Sequence, residues 1–421
     1  MNEILIKGAR VIDPANHLDE ISDILIKDGH FAPLSEVSDK VQMINADGLI
    51  AVPGLVDLHV HLRDPGQTYK EDIISGCRSA AAGGVTSLLA MPNTIPAVDT
   101  PETVRYILDK AKNADAHVYV VGAITKDLKS EQPTDIDALK QAGISALSDD
   151  GKPVENTCFM VEAMKKAAKL NIPVTAHCED PYLAGGKVNE GEISEILGVK
   201  GMPAAAEDAG TARELSLAQA YHVPIHICHV STATSYVMIK DAKKQGVQVT
   251  AETGPHYLML TQDELLKRDA DYRMNPPLRT EYDRQAMIQG LLDGTIDAIA
   301  TDHAPHSPED KSDFVNAPNG AIGMETSFAA SYTVLVKTGL MTVAQLIEKM
   351  AVNPAHILHI DAGTLSCGKP ADIMLFDPSE EWTVDPEKLH GKSKNTPFKG
   401  LTLTSKVKLT ICGGKIVYNE L

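Results

Sequence analysis

Two histidines one residue apart, His59 and His61, lie in the stretch DLHVHLR at 57–63, directly after the apolar run Ile50 to Val56. Such a run reads as a buried strand. Side chains alternate faces along a strand, so both imidazoles point the same way and can grip one metal ion. Taken alone, an HxH pair fits packing as well as it fits metal binding. What decides its meaning is the company it keeps. Other apolar runs also end in polar residues: Asn93 follows the run from Val85, Asp149 and Asp150 the run from Ile144, and His177 the run from Ile172. His229 follows the run from Val223, and Asp302 with His303 the run from Ile296. Four histidines and two aspartates (His59, His61, His177, His229, Asp150 and Asp302) suffice for two divalent ions sharing one carboxylate, with a position left open for water. His and Asp without Cys suit Zn²⁺, and Mn²⁺ or Co²⁺ are also compatible. His226 is three residues before His229, so on a continuous strand it faces the opposite way, toward the helix layer.

The elements that must position these residues alternate in type. From about residue 53, eight apolar runs begin near Leu55, Val85, Val118, Ile144, Ile172, Val223, Val247 and Ile296. Helical segments separate most of them. Thr100 and Pro101 supply an N-cap and an N1 proline, Phe159 to Leu170 has helical apolar spacing, and Glu207 to Tyr221 is rich in Ala, Leu and Glu. Eight strand–helix units in about 300 residues match a (β/α)₈ barrel, whose chemistry sits at the carboxyl ends of its strands. A doubly wound open sheet is the competitor, but it offers no place for so many strand ends to converge. The run Ser307 to Gly323 after the eighth strand is long and largely polar, and reads as a loop over the barrel mouth. Both chain ends differ from the middle. Short apolar runs punctuated by Gly8, Pro14, Asp28-Gly29 and Gly413-Gly414 suggest strands and turns. Neither end could bury a core alone. The expectation is one small β-sandwich domain built from residues 1–52 and 359–421, flanking a catalytic barrel at 53–358; two independent flanking sheets are the alternative.

Composition narrows the class of function. The net charge of −18 disfavours nucleic acid and acidic membranes as partners, and a single Trp argues against a base-stacking platform. An anionic substrate remains compatible, because a local arginine outweighs a global field at contact distance. The six cysteines are scattered with no CxxC, no run is long enough to span a bilayer, and the N-terminus does not read as a signal peptide. These features suggest a reducing cytoplasm.

The motifs HVHLR at 59–63, MPNT at 91–94, DDG at 149–151, AHCED at 176–180, CHVST at 228–232, MNPPLR at 274–279 and TDHAPH at 301–306 together resemble the dihydroorotases of the bacterial type I group, in the amidohydrolase superfamily. The resemblance covers nearly the whole chain, including the split β domain. It implies a reversible cyclisation of N-carbamoyl-L-aspartate to dihydroorotate, the third step of pyrimidine synthesis. It also implies two Zn²⁺ per subunit, with His59 and His61 on one, His177 and His229 on the other, Asp150 bridging, and Asp302 binding the first and moving a proton. By the same resemblance Arg63, Asn93, Asn275 and His306 contact substrate, with His61, Asn319 and Gly320 beside it, and a homodimer and association with aspartate transcarbamoylase are expectations. Three features depart from the pattern. Lys152 lies two residues beyond Asp150, and a carboxylated lysine bridges the metals in related groups. ETGPHYL at 252–258 is similar to the version in allantoinases and hydantoinases, and Asn319 stands where many relatives carry an aromatic residue. Allantoinase and hydantoinase or dihydropyrimidinase activities on the same scaffold are therefore the rivals, with a non-catalytic partner subunit as a reading from another class. Arg63 discriminates, since a hydantoin lacking a carboxylate would leave it unpaired.

Overall fold

The computed structural model describes residues 3–421. Five strands come first: β1 (Glu3–Asp13), β2 (Leu18–Lys27), β3 (His30–Ala32), β4 (Gln42–Asn45) and β5 (Ile50–Pro53). β1 turns back into β2 through Pro14–Asn16, where the Asp13 carboxylate accepts from the Ala15 amide and His17 takes a left-handed conformation. Gly8 does not divide two strands: the apolar runs on either side of it are one strand, because its pairing with β2 shifts register between Ile6 and Ala9 instead of breaking.

The chain then enters eight parallel strands: β6 (Leu55–Val60), β7 (Val85–Ala90), β8 (His117–Ala123), β9 (Ala146–Ser148), β10 (Thr175–Ala176), and, after a small ribbon of β11 (Val188–Asn189) and β12 (Gly201–Met202), β13 (Ile225–Ile227), β14 (Val249–Thr253) and β15 (Ala298–Ile299). β6 to β9 form one run of neighbours, and β10, β13, β14 and β15 form another. Parallel bridges Leu147–Val174 and Val60–His303 join the two runs at both ends, so the sheet closes on itself. Closure excludes the open doubly wound alternative. β6 and β7 are buried along their whole length, as strands covered on both faces must be.

Five strands, β9, β10, β13, β14 and β15, begin two or three residues later than their apolar runs. Ile144, Ile172, Val223 and Ile296 are buried but precede the ladder. They belong to the main core, Ile296 packing near Gly290 and Tyr236 of the helix layer, and burial alone gives an apolar residue no reason to be paired. Helices begin where side chains cap them: Thr100 accepts from the Thr103 amide at 3.3 Å ahead of Pro101–Ala111, and Asn156 from the Cys158 amide at 3.0 Å ahead of Thr157–Leu170. The helix expected from Glu207 spans Ala205–Tyr221.

After the barrel come β16 (Ile373–Thr383), β17 (Thr402–Cys412) and β18 (Lys415–Asn419). β16 pairs antiparallel with β5, Ile373 opposite Pro53, and this junction joins both chain ends into one sheet ordered β18-β17-β16-β5-β1-β2-β3, with β4 beside β1. Two independent flanking sheets are thereby ruled out. Ile4, Ile6, Val11, Ile26, Ile373, Leu375, Leu409 and Ile411 form the core of this sandwich domain. Met374, Phe376 and Leu403 join the barrel's own core. No helix among the described residues is long and apolar enough to cross a membrane, and all six cysteines are free.

Candidate active site

The carboxyl ends of the barrel strands bring the expected residues to one cleft. His61, Arg63, Asn93, Asp150, His177, His229, Asn275, Asp302, His306, Asn319 and Gly320 all line a cavity of about 260 Å³, and His59 lies fully buried beneath it. His59 Nε2 is 3.2 Å from Asp150 Oδ1 and 3.6 Å from Asp302 Oδ1. His61 Nε2 is 3.0 Å from Asp302 Oδ1 and 3.4 Å from Asp150 Oδ2. His177 Nδ1 is 2.9 Å from His229 Nε2 and 3.7 Å from Asp150 Oδ1. Asp150 thus lies between two histidine pairs. Lys152 is exposed, outside this cluster.

The cluster fits a metal. His59 Nε2, Asp150 Oδ1 and His177 Nε2 are buried without a hydrogen-bond partner, an expensive arrangement unless something else satisfies them. His59, His61 and Asp302 present donors within one ion's reach of each other, and so do His59, Asp150 and His229. Imidazole and carboxylate donors on rigid strand ends suit a borderline divalent ion.

Residues outside the expected set hold the cluster in place. The Glu252 carboxylate, at the end of β14, meets His59 Nδ1 at 3.1 Å through one oxygen and His226 Nε2 at 3.1 Å through the other. Burial pushes the pKa of Glu252 up, but these two imidazoles outweigh it and hold the carboxyl at about 2. His226 Nδ1 in turn meets Thr250 Oγ1 at 2.8 Å. His226 therefore does not face the helix layer. The expectation that it does assumed a continuous strand from 226 to 229. β13 stops at Ile227, and His229 has φ 34°, so strict alternation fails there. Glu252 heads the ETGPHYL stretch, and the seventh strand end was the signal that sequence reasoning passed over. Asp57 braces the other side: it accepts from Thr301 Oγ1 at 2.6 Å, and from the backbone amides of Thr301 and His59 at 3.0 and 3.2 Å. Asp149 faces away from the cleft and accepts from the Ile124 and Thr125 amides.

The remaining wall is sorted by polarity. Arg63 is buried, donates Nε–H to Pro305 O at 3.2 Å, and makes no ion pair among the described residues. Burial pushes its pKa down to about 10, which still leaves it charged near neutrality. His306 is held neutral by burial and by the Arg63 charge, with its pKa near 2. Its Nδ1 accepts from Lys70 Nζ at 3.3 Å, so the ring proton sits on Nε2 and is donated to Asn319 O at 2.9 Å. Lys70 was not foreseen either, although it follows Arg63 in the same loop. Asn93 Oδ1 accepts from His61 Nδ1 at 2.8 Å, which leaves its NH₂ for the cleft. Asn275 is the reverse. Its Nδ2 donates to Glu179 Oε2 at 2.9 Å, a partner that can only accept, and its Oδ1 is buried and unpartnered.

The loop after β15 closes the cleft, held by the buried Arg273 and the half-buried Lys311. Lys311 Nζ donates to Ala270 O and Pro318 O, each at 2.9 Å, and Arg273 Nη1 to Phe314 O and Val315 O. Asn319 contributes its carbonyl to His306, while its side chain turns away to Arg273. Gly320 has φ 135°, and a Cβ there would lie 2.7 Å from the Ala304 methyl and 3.0 Å from His306 Nε2, so only glycine fits.

A family model described as Dihydro-orotase-like matches residues 48–235, and one described as the Amidohydrolase family matches residues 229–418. The chain is 49% identical to a dihydroorotase of Geobacter metallireducens, across 99% of this chain and 100% of that protein. It is 48% identical to a dihydroorotase of Syntrophus aciditrophicus, with the same coverage. Among solved structures, the L-hydantoinase (dihydropyrimidinase) from Arthrobacter aurescens matches with a TM-score of 0.89 at 26% identity, covering 100% of this chain and 97% of that one.

Proposed function

The chain belongs to the dihydroorotase family of amidohydrolases, and we propose that it catalyses the reversible cyclisation of N-carbamoyl-L-aspartate to (S)-dihydroorotate and water, the third step of pyrimidine synthesis. It is a cyclic amide hydrolase in the ring-opening direction. The observation that carries the substrate assignment is Arg63. A buried guanidinium on a cleft wall with no direct ion-pair partner is suited to an anion from the ligand, and its planar fork matches a carboxylate. Hydantoin and dihydrouracil rings carry none.

We assign two zinc ions to the His/Asp cluster, one beside His59, His61 and Asp302, the other beside His177 and His229, with Asp150 between. Bound there, they supply Lewis acidity toward the ring carbonyl and make hydroxide available near neutral pH. The protein's own groups do the rest. Arg63 binds the α-carboxylate, and the Asn93 NH₂ adds a donor on the same side. Asn275 Oδ1 can only accept, so it selects a ring N–H and fixes the substrate's orientation. Asp302 takes a proton from the attacking water and returns it to the leaving ring nitrogen, a general base turned general acid. Cyclisation runs the same steps backwards. The cleft side of this arrangement is buried, which strengthens each polar contact.

The test is a spectrophotometric assay of dihydroorotate ring opening on metal-analysed protein, with allantoin and dihydrouracil as controls. Dihydroorotate should be strongly preferred, and preference for either control overturns the substrate assignment. We extend the proposal to a homodimer that associates with aspartate transcarbamoylase, for which gel filtration with and without that partner is the check.

A further inference from the structure

A second cluster of metal-ligating side chains lies away from the cleft, at the seam between the barrel and the terminal sheet. His117 is the first residue of β8, Asp372 immediately precedes β16, and Cys412 ends β17. Donor atoms of all three lie within 4.8 Å of one another. His117 Nε2 is 3.1 Å from Asp372 Oδ1, and that oxygen is fixed by the Gly413 amide at 2.7 Å. The Cys412 thiol faces the Thr86 carbonyl at 3.6 Å and the His117 imidazole. Asp372 and Cys412 are buried, while the His117 side chain is 41% exposed and borders an open cavity that Cys412 and Gly413 also line. The catalytic residues are at the far end of the barrel, a strand length or about 20 Å away.

We propose that this trio is a binding site for a thiophilic divalent cation of the zinc class, held by the His117 imidazole, the Asp372 carboxylate and the Cys412 thiolate, with the fourth position open to solvent through the cavity. Imidazole, carboxylate and thiolate together make a usual tetrahedral donor set, and one solvent position completes it. An ion pair between His117 and Asp372 needs only two of these groups, whereas the Cys412 sulfur beside His117 makes a third donor within 4.8 Å of the other two. Binding removes the thiol proton and also the proton that His117 shares with Asp372, whose hydrogen bond raises the imidazole pKa to about 10, so uptake is accompanied by proton release from both groups. Because His117 belongs to the barrel and the other two ligands to the terminal sheet, the ion is a clasp between the two units.

Cobalt titration of the metal-free, full-length chain tests this. The catalytic cluster as assigned has no sulfur ligand, so the clasp alone should produce a thiolate-to-cobalt charge-transfer band in the near ultraviolet. Cys412→Ser should lose the band and bind one equivalent fewer than wild type, and His117→Gln should weaken the same equivalent, while both keep dihydroorotate ring opening. Zinc added beyond the catalytic equivalents should raise the melting temperature of wild type but not of Cys412→Ser. Equal metal equivalents in wild type and Cys412→Ser, or a band that survives the serine, would reduce the trio to an ion pair beside a buried thiol. The comparison is between variants, so it stands whether or not the catalytic cluster takes two ions or acts on dihydroorotate.

Discussion

At the scale of single residues, the cleft is defined by groups whose bonding leaves one function free. Arg63 keeps its fork for a ligand, Asn93 keeps its NH₂, and Asn275 keeps its carbonyl. Removing the Arg63 charge deletes two charge-assisted hydrogen bonds, each worth roughly 1.5–3 kcal/mol. Arg63→Met should therefore lower kcat/KM for dihydroorotate by about 100-fold or more, with bound metal unchanged; steady-state kinetics with metal analysis reads both, and unaltered substrate affinity would contradict the carboxylate clamp. Glu252 acts differently, because it contacts His59 of the proposed metal cluster and does not line the cleft. A carboxylate behind a metal-bound histidine typically sustains a 10- to 100-fold part of the affinity. Glu252→Gln should weaken metal binding by about that factor, as measured by chelator competition on the resting protein. Tight binding that persists would show that His59 needs no orienting partner.

At the scale of elements, the strand ends are tied to segments far along the chain. The loop after β15 is joined to the stretch leading into β17 by His390, whose Nδ1 meets Glu325 Oε1 at 2.8 Å and whose amide donates to Glu325 Oε2. The Glu325 carboxylate raises the pKa of His390 above its ordinary value. For a base with a raised folded pKa, the folded state holds the proton more tightly. The stabilisation is complete below the unfolded pKa of about 6.5 and is lost as the pH rises through the higher folded value. The gap in melting temperature between wild type and His390→Gln should thus be wider at about pH 5.5 than at about pH 9. A gap that is constant or grows with pH would contradict the pairing. Helix starts such as Thr100-Pro101 were legible in the sequence because caps act over a few residues. The late starts of β9, β10, β13, β14 and β15 were not, since pairing depends on a neighbour far along the chain, as β10 pairs with β13.

At the scale of the molecule, the terminal sheet and the barrel are not separable in their packing. Residues Met374, Phe376, Phe398, Leu403 and Val407 share a core with barrel residues such as Leu88 and Val120. Thr410 also donates to Ala81 O in the helix Ile73–Ala82. A chain ending at residue 400 loses β17 and β18, unpairs one edge of β16 and uncovers that shared core. It should fail to give the single cooperative melting transition of the full chain and should aggregate; a soluble fragment with full metal content would show that the barrel stands alone.

The sequence by itself determined the alternation of strand and helix, the polar residues at the strand ends, and the resemblance that ties them to one chemistry. Those are properties of local pattern, and local pattern is written in adjacent residues. It could not determine which way a side chain faces once a strand stops, as His226 shows, nor that Glu252 stands behind His59 across 193 residues. Closure of the barrel, the union of the two chain ends through β5 and β16, and the amide orientations of Asn93 and Asn275 were decided only by tertiary structure. Each depends on a partner brought close by folding, and a hydrogen bond reads distance in space, which separation along the chain does not report.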